Sequence, residues 1–325
     1  MYKRYRIKKV IGRSASGITV SALDTATGNL VAIKKFERLF ESGELLLEVC
    51  KSLKILHYLR HENIVLLEKV FYTGSQENFT DVYAVYEYMD TDLQKVITSP
   101  QPLTNDHHKY FIYQILRGLK YVHSANISIN DLKPFKIYLN RNSDLKLSGF
   151  DLATPFNFHS PVEFISNRWY YSPEQLTNSF KNCKKIDIWG LGCVFACLLK
   201  RAPLFRGASS LNQIEAILDV LGTPQNLDFI ESSDLRERII SLPHYEKQDF
   251  KTLIPGVSED ALDLLSKMLV FNPDKRWSVE ECLSHSYLSE LHFPEDEPTA
   301  EEPFDWSCLE TRDLRSIIHN LSVSL

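Results

Sequence analysis

Residues 6–36 alternate apolar and polar positions in short runs broken by Gly12, Gly17 and Gly28, which predicts a meander of strands. A helical period follows over 44–59, where Leu45, Leu46, Val49, Leu53, Leu56 and Leu59 return to one side. Val82 to Tyr88 reads as a short apolar strand. From about residue 105 the pattern is mostly helical. Ile112, Ile115, Leu116, Leu119 and Val122 share a helix face. Ile186 to Leu199 is almost continuously apolar, as in a buried helix, and Ala261 to Leu269 is another amphipathic run. Strands first and helices after predict an α+β chain, with a small sheet-rich lobe and a larger helical lobe. The tail from Phe293 is acidic and carries Pro294, Pro298 and Pro303, which predicts an extended course over the surface.

Composition narrows the function classes. The 325 residues suffice for one large bilobal domain with a sizeable core. The net charge of −5 gives no electrostatic support for a nucleic-acid partner. Nothing approaches the run of about 18 apolar residues that a membrane span needs. The start Met1-Tyr2-Lys3-Arg4-Tyr5 lacks the apolar stretch of a secretory signal, so a cytoplasmic or nuclear location is expected. Six cysteines without a Cys-x-x-Cys pair read as reduced, buried thiols.

Four local motifs then occur in one order: Gly12-Arg13-Ser14-Ala15-Ser16-Gly17 after a strand, Val31-Ala32-Ile33-Lys34, Asp131-Leu132-Lys133-Pro134, and Ser172-Pro173-Glu174. Each alone is weak; together they resemble the protein-kinase signature set. Arg60-His61-Glu62-Asn63-Ile64, Asp90-Thr91-Asp92-Leu93, Asp187-Ile188-Trp189, Leu221-Gly222-Thr223-Pro224 and Phe271-Asn272-Pro273 bring the resemblance to the mitogen-activated protein (MAP) kinase family. It covers nearly the whole chain and implies the bilobal kinase fold. The implied limits are an N-lobe over 1–88 and a C-lobe over 89–290, with a family insert near 207–250. An extension over 291–325 would pack back on the lobes.

The resemblance also implies an ATP site at Gly12, Gly17, Ala32, Lys34, Met89 and Asp92, and catalytic positions at Asp131 and Lys133. Phosphoryl transfer depends on positioning and charge stabilisation, so each part can be checked separately. Asp131, the expected acceptor of the substrate hydroxyl proton, and Lys133 are kept. The usual metal-binding Asp-Phe-Gly is Gly149-Phe150-Asp151 here, and the asparagine that would be the other ligand is Lys136. A cation cannot ligate magnesium, so no metal ligand is assigned. Alignment puts Ser52 where a helix glutamate would hold Lys34; Glu48, one turn earlier, is the alternative if the helix shifts. Ser14 replaces the middle glycine of the phosphate loop.

Tyr86 falls on the gatekeeper position and Tyr138 on the adenine floor. Tyr138 either fills the pocket or swings into the core and leaves it open. The family's phosphorylated Thr-x-Tyr aligns with Val162-Glu163-Phe164, and Asn130 replaces the arginine that would read the phosphate. Asn167 and Tyr171 alter the substrate loop. Glu295, Asp296 and Glu297 match an acidic docking patch beside the family's groove, or are a solvated acidic run. Glu174 and Arg276 resemble a buried structural ion pair, and Asp187 a cap on the catalytic-loop backbone.

Structural positions persist while catalytic ones change. The expectation is therefore a MAP-kinase-like pseudokinase, not an enzyme, that serves as a scaffold or allosteric partner of other proteins. Weak ATP binding at most is expected, without magnesium. Two alternatives stay open: an atypical active Ser/Thr kinase using Asp151, Glu163 and Glu48, and a metal-independent nucleotide sensor using Lys34 and Lys136.

Overall fold

The computed structural model describes residues 4–14, 16–156, 167–180, 183–310 and 313–325. Strands β1 (Tyr5–Ser14), β2 (Gly17–Asp24) and β3 (Leu30–Phe36) form the predicted antiparallel meander. Gly17 has φ +142°, and a Cβ there would lie 1.9 Å from the Lys35 carbonyl oxygen. Its glycine character is demanded by the close approach of β3, whatever binds above the loop. Helix α1 (Gly43–Tyr58) starts at Ser42, whose hydroxyl accepts from the Leu45 amide. It buries Val49, Cys50, Leu53, Ile55 and Leu56. β4 (Leu67–Thr73) and β5 (Asp81–Glu87) complete a sheet of order β1-β2-β3-β5-β4.

Beyond the hinge, β6 (Thr91–Asp92), β7 (Ile137–Leu139) and β8 (Leu145–Leu147) make a small sheet below the cleft. Helices α2 (Leu93–Thr98) and α3 (Asn105–Ser124) precede β7. α4 (Pro173–Leu176), α5 (Cys183–Lys200), α6 (Ser210–Leu221), α7 (Ser233–Ile240), α8 (Phe250–Leu253), α9 (Glu259–Met268) and α10 (Val279–Leu283) build the large lobe. α5 packs between α3 and α9, which explains its lack of a polar face: Ile188, Trp189, Leu191, Val194 and Phe195 are all fully buried. This is the bilobal protein-kinase fold, α+β with a β-rich small lobe.

The tail departs from a purely extended path. The Phe304 amide donates to the Ala125 carbonyl at 2.8 Å, and Trp306 Nε1 donates to the Asn126 carbonyl at 3.1 Å. The chain then forms α11 (Leu314–Ser324), which packs on α1 and β4. Tyr72 Oη lies 2.8 Å from His319 Nδ1, and Arg315 covers the Phe40 ring at 3.7 Å. The buried seam Ile317, Ile318 and Leu321 is too short to announce a helix without the surface it covers.

Glu174 and Arg276 meet as a bidentate pair at 2.6 and 3.1 Å, both about 1% exposed. Arg276 also donates to the Val270 carbonyl, so its guanidinium is shared between a carboxylate and backbone acceptors. Truncating Arg276 to alanine leaves Glu174 buried and unpaired, and should cost about 3–5 kcal/mol in urea unfolding; a loss below about 1 kcal/mol would show the pair to be dispensable.

Candidate active site

The catalytic loop is fixed from below by one carboxylate. Asp187, fully buried on α5, accepts from the Ile129 amide at 2.9 Å and the Asn130 amide at 2.7 Å. His123 Nε2 and Ser128 Oγ approach its Oδ2 at 2.9 Å each. Asn130 is thereby held at φ +63°, in the left-handed region where asparagine is among the better-tolerated residues. The loop then delivers Asp131, Lys133 and Lys136 to the cleft. Lys133 Nζ lies 2.7 Å from Asp131 Oδ2, so the two kept catalytic positions are brought together.

Lys136 reaches the same oxygen. Its Nζ is 2.7 Å from Asp131 Oδ2 and 3.2 Å from Asp151 Oδ2. Burial works against its charge, but Asp151 and Asp131 more than offset this and raise the ammonium well above its ordinary value. Asp151 lies in a short 3-10 turn with Phe150, which packs fully buried against α1. Burial pushes the Asp151 carboxyl up; Lys136, Lys34 and Lys51 act more strongly and hold it below its ordinary value. Gly149 has φ +82°, and a Cβ there would meet the Lys136 stem at 2.2 Å from Cδ and 2.9 Å from Cε. The lysine occupies the space into which an aspartate at 149 would grow. The two departures from the family pattern are therefore neighbours in space, and an aspartate at 149 would displace the Lys136 stem.

On the small-lobe side, Lys34 has no carboxylate within 4.0 Å among the described residues, although its ammonium lies 5.0 Å over the Phe36 ring. Ser52 is buried on α1 and supplies no charge. Glu48 does not pair with Lys34; burial and the neighbouring Asp151 push its carboxyl up. The same helix also carries Lys51, a cation that interacts with Glu48 and Asp151 and that alignment alone did not single out. Its only sequence signal is that it precedes Ser52 in the expected partner turn.

The nucleotide side is partly rebuilt. Ala32 is buried on β3 opposite Tyr86. Tyr86 packs against the main core, and burial pushes its hydroxyl far up. Tyr138 does not swing into the core. It keeps 36% of its surface exposed on the cleft side, beside Ser148 and Asp92. Met89 is half-buried at the hinge, and Gly12 pairs with Thr19 in the hairpin. Asp92 caps α2 by accepting from the Lys95 amide at 3.0 Å.

Asn130 has a substitute task. Its amide Nδ2 donates to the Leu152 carbonyl at 3.1 Å and Thr154 Oγ1 at 2.8 Å, tying the catalytic loop to the base of the activation segment with neutral groups. Val162, Glu163 and Phe164 lie outside the described residues. Asn167 accepts from the Trp169 amide and opens a 3-10 turn. The acidic trio divides. Glu295 and Asp296 are exposed, whereas the Glu297 side chain is fully buried between Lys120 Nζ at 3.0 Å and His292 Nδ1 at 2.7 Å. Glu297 therefore braces the tail and is corrected as a docking group, because its charge is already spent internally.

A model of the protein kinase domain matches residues 5–288. Mitogen-activated protein kinase 13 of Arabidopsis thaliana is 42% identical over 95% of this chain and 87% of its own length. Mitogen-activated protein kinase 4a of Physcomitrium patens is 44% identical over 91% of this chain and 80% of its own. This chain is a member of the MAP kinase family. The extracellular signal-regulated kinase 1 of Dictyostelium discoideum is also similar, 42% identical over 91% of this chain and 57% of its own. These relatives are kinases by name, and at this identity they overturn the expectation that the chain is not an enzyme. That expectation equated a changed residue with a lost function. The structure offers a different physical reading, in which charge at the site has been replaced rather than removed.

The magnesium that the MAP kinase pattern implies does not fit these residues. Magnesium requires oxygen ligands in an octahedron. Here the facing carboxylates of Asp131 and Asp151 already share an ammonium between them. Gly149→Asp alone should lower stability by about 1–3 kcal/mol, through overpacking against Lys136 and the positive φ. Lys136→Asn with Gly149→Asp should lose less than the sum of the single variants. Thermal melts of the three proteins check this, and strictly additive losses would dissolve the steric link.

Proposed function

We propose that the chain is an ATP-dependent Ser/Thr protein kinase of the MAP kinase family, working with a rearranged charge set. The observation that carries the reading is Asp131, presented to the cleft beside Lys133 at 2.7 Å on a loop that Asp187 holds rigid. Geometry of this kind is expensive to maintain, since it buries several polar groups. In the proposed reaction the substrate hydroxyl oxygen bonds to the γ-phosphorus of ATP as the bond from that phosphorus to the β–γ bridging oxygen breaks. The hydroxyl proton passes to Asp131, and ADP leaves with the bonding pair on its β-phosphate. Lys133 and Lys34 supply positive charge where the transferred group carries negative charge.

Two further features support an activation segment that is not switched by phosphate. Asn130 anchors Leu152 and Thr154 without any charged partner. The positions aligned with the family's phosphorylated hydroxyls are Val162 and Phe164. The proposed partners are proteins with basic docking peptides, attracted by the exposed Glu295 and Asp296.

Asp131→Asn should lower kcat for transfer from labelled ATP to a Ser/Thr protein substrate by about 10² or more, with the fold unchanged by circular dichroism. Transfer equal in the wild type and in Asp131→Asn would overturn the reading. Glu295→Lys with Asp296→Lys should slow association of a basic peptide and flatten its salt dependence, measured by stopped-flow fluorescence. Glu297→Lys should instead lower the melting temperature, since it sets a lysine against Lys120.

A further inference from the structure

Four lysines and three carboxylates converge on the cleft: Lys34, Lys51, Lys133 and Lys136 around Asp131 and Asp151, with Glu48 beside Lys51 on α1. They come from β3, α1, the catalytic loop and the 3-10 turn that holds Asp151, so four separate elements have to agree to place them. A site that uses a divalent ion wants the reverse balance, with carboxylates in excess to hold the metal. Here the excess is cationic. The two carboxylates nearest the replaced metal positions, Asp131 and Asp151, are bridged by the Lys136 ammonium, whose Nζ is 2.7 Å from one and 3.2 Å from the other. The exchange is also built into the packing. The Lys136 stem fills the volume beside Gly149, where a Cβ would collide with its Cδ and Cε unless the stem moved.

We propose that Lys136 is a tethered counterion that replaces the divalent metal, so that this cleft takes a nucleoside triphosphate as the metal-free anion. Lys34, without a carboxylate partner within 4.0 Å among the described residues, and Lys51 on α1 complete the basic cradle. An ammonium serves this purpose differently from a metal ion. It donates hydrogen bonds in three directions and accepts none, so it can hold Asp131 and Asp151 while turning a remaining proton to a phosphate oxygen. Its charge is covalently present at all times, so occupancy does not depend on free magnesium. Asp151 is 42% exposed on its side chain, which leaves it room to swing aside as the anion enters. Release of Asp151 would give the triphosphate three lysines at once, Lys34, Lys51 and Lys136. The carboxylate thus acts as a placeholder for phosphate when the cleft is empty. This inference rests on the kinase reading for the identity of the ligand, but it concerns binding and can fail or stand separately from turnover.

The experiment is calorimetric titration of the full chain with ATP and, separately, with inorganic tripolyphosphate, each in EDTA and in magnesium. Wild type should bind ATP with a Kd that changes by no more than about twofold between the two buffers. Lys136→Gln should weaken binding in EDTA by roughly tenfold or more, the loss of one charge-assisted contact, while Lys136→Arg should retain it. Lys136→Asn with Gly149→Asp should acquire magnesium dependence. Circular dichroism of each variant separates lost binding from lost folding. Lys51→Gln, remote from the Asp131 pair, provides a second readout and should weaken EDTA binding without altering the fold. Wild-type affinity that falls tenfold or more on chelation would overturn the proposal. So would an unchanged EDTA affinity in Lys136→Gln, or an absence of ATP binding in both buffers. Weak tripolyphosphate binding beside strong ATP binding would assign the remaining affinity to the adenine contacts and supports the proposal only if Lys136→Gln still lowers it. Absence of phosphoryl transfer with metal-free ATP binding intact would overturn the kinase reading and leave this one standing.

Discussion

The active site depends on a carboxylate that never touches substrate. Asp187 is fully buried, a state that is costly for an ion unless its lone pairs are met by donors. The Ile129 and Asn130 amides, with His123 and Ser128, meet them. In exchange the backbone from 128 to 131 has one available conformation, including the left-handed Asn130. Everything that faces the cleft from the large lobe, Asp131, Lys133 and Lys136, takes its position from that loop. The Glu174–Arg276 pair braces the same lobe from the other side of α5.

Above this rigid base the chemistry has been rewritten as a set of compensations. Asn130 gives up the arginine charge and ties down the activation segment with its amide. Gly149 gives up a carboxylate, and Lys136 moves into the room left behind. Ser52 supplies no charge to Lys34, while Lys51 and Glu48 of the same helix interact with each other and with Asp151. The exchanges at Gly149 and Lys136 move the cleft toward positive charge, whereas Asn130 gives up a cation outside it. That direction suits an anionic ligand and opposes a metal ion.

Much of this was legible residue by residue. The strand meander, the α1 period, the unbroken apolar run of α5 and the Glu174–Arg276 pair all follow from local pattern or from family spacing, because burial imposes periodicity on sequence. The substitutions at Lys136, Gly149 and Ser52 were equally plain. What they meant was not. Read singly, each is a deletion, and a row of deletions points to a dead enzyme. The contacts that turn them into exchanges join residues 13 apart, 15 apart and more than 80 apart in sequence, across three elements. No local window contains them. The same holds for Glu297, whose acidic neighbours Glu295 and Asp296 stay in solvent while it is enclosed by Lys120 from α3.

The amino-acid sequence alone therefore determined the family, the two-lobed architecture and the inventory of altered positions, since these rest on periodicity and ordered motifs. Tertiary structure decided which charges face one another: that Lys136 lies between Asp131 and Asp151, that Glu48 does not pair with Lys34, and that Tyr138 stays out of the core. The reason is electrostatic. The effect of a charge is set by distance and by the dielectric around it, and neither exists until the chain has folded.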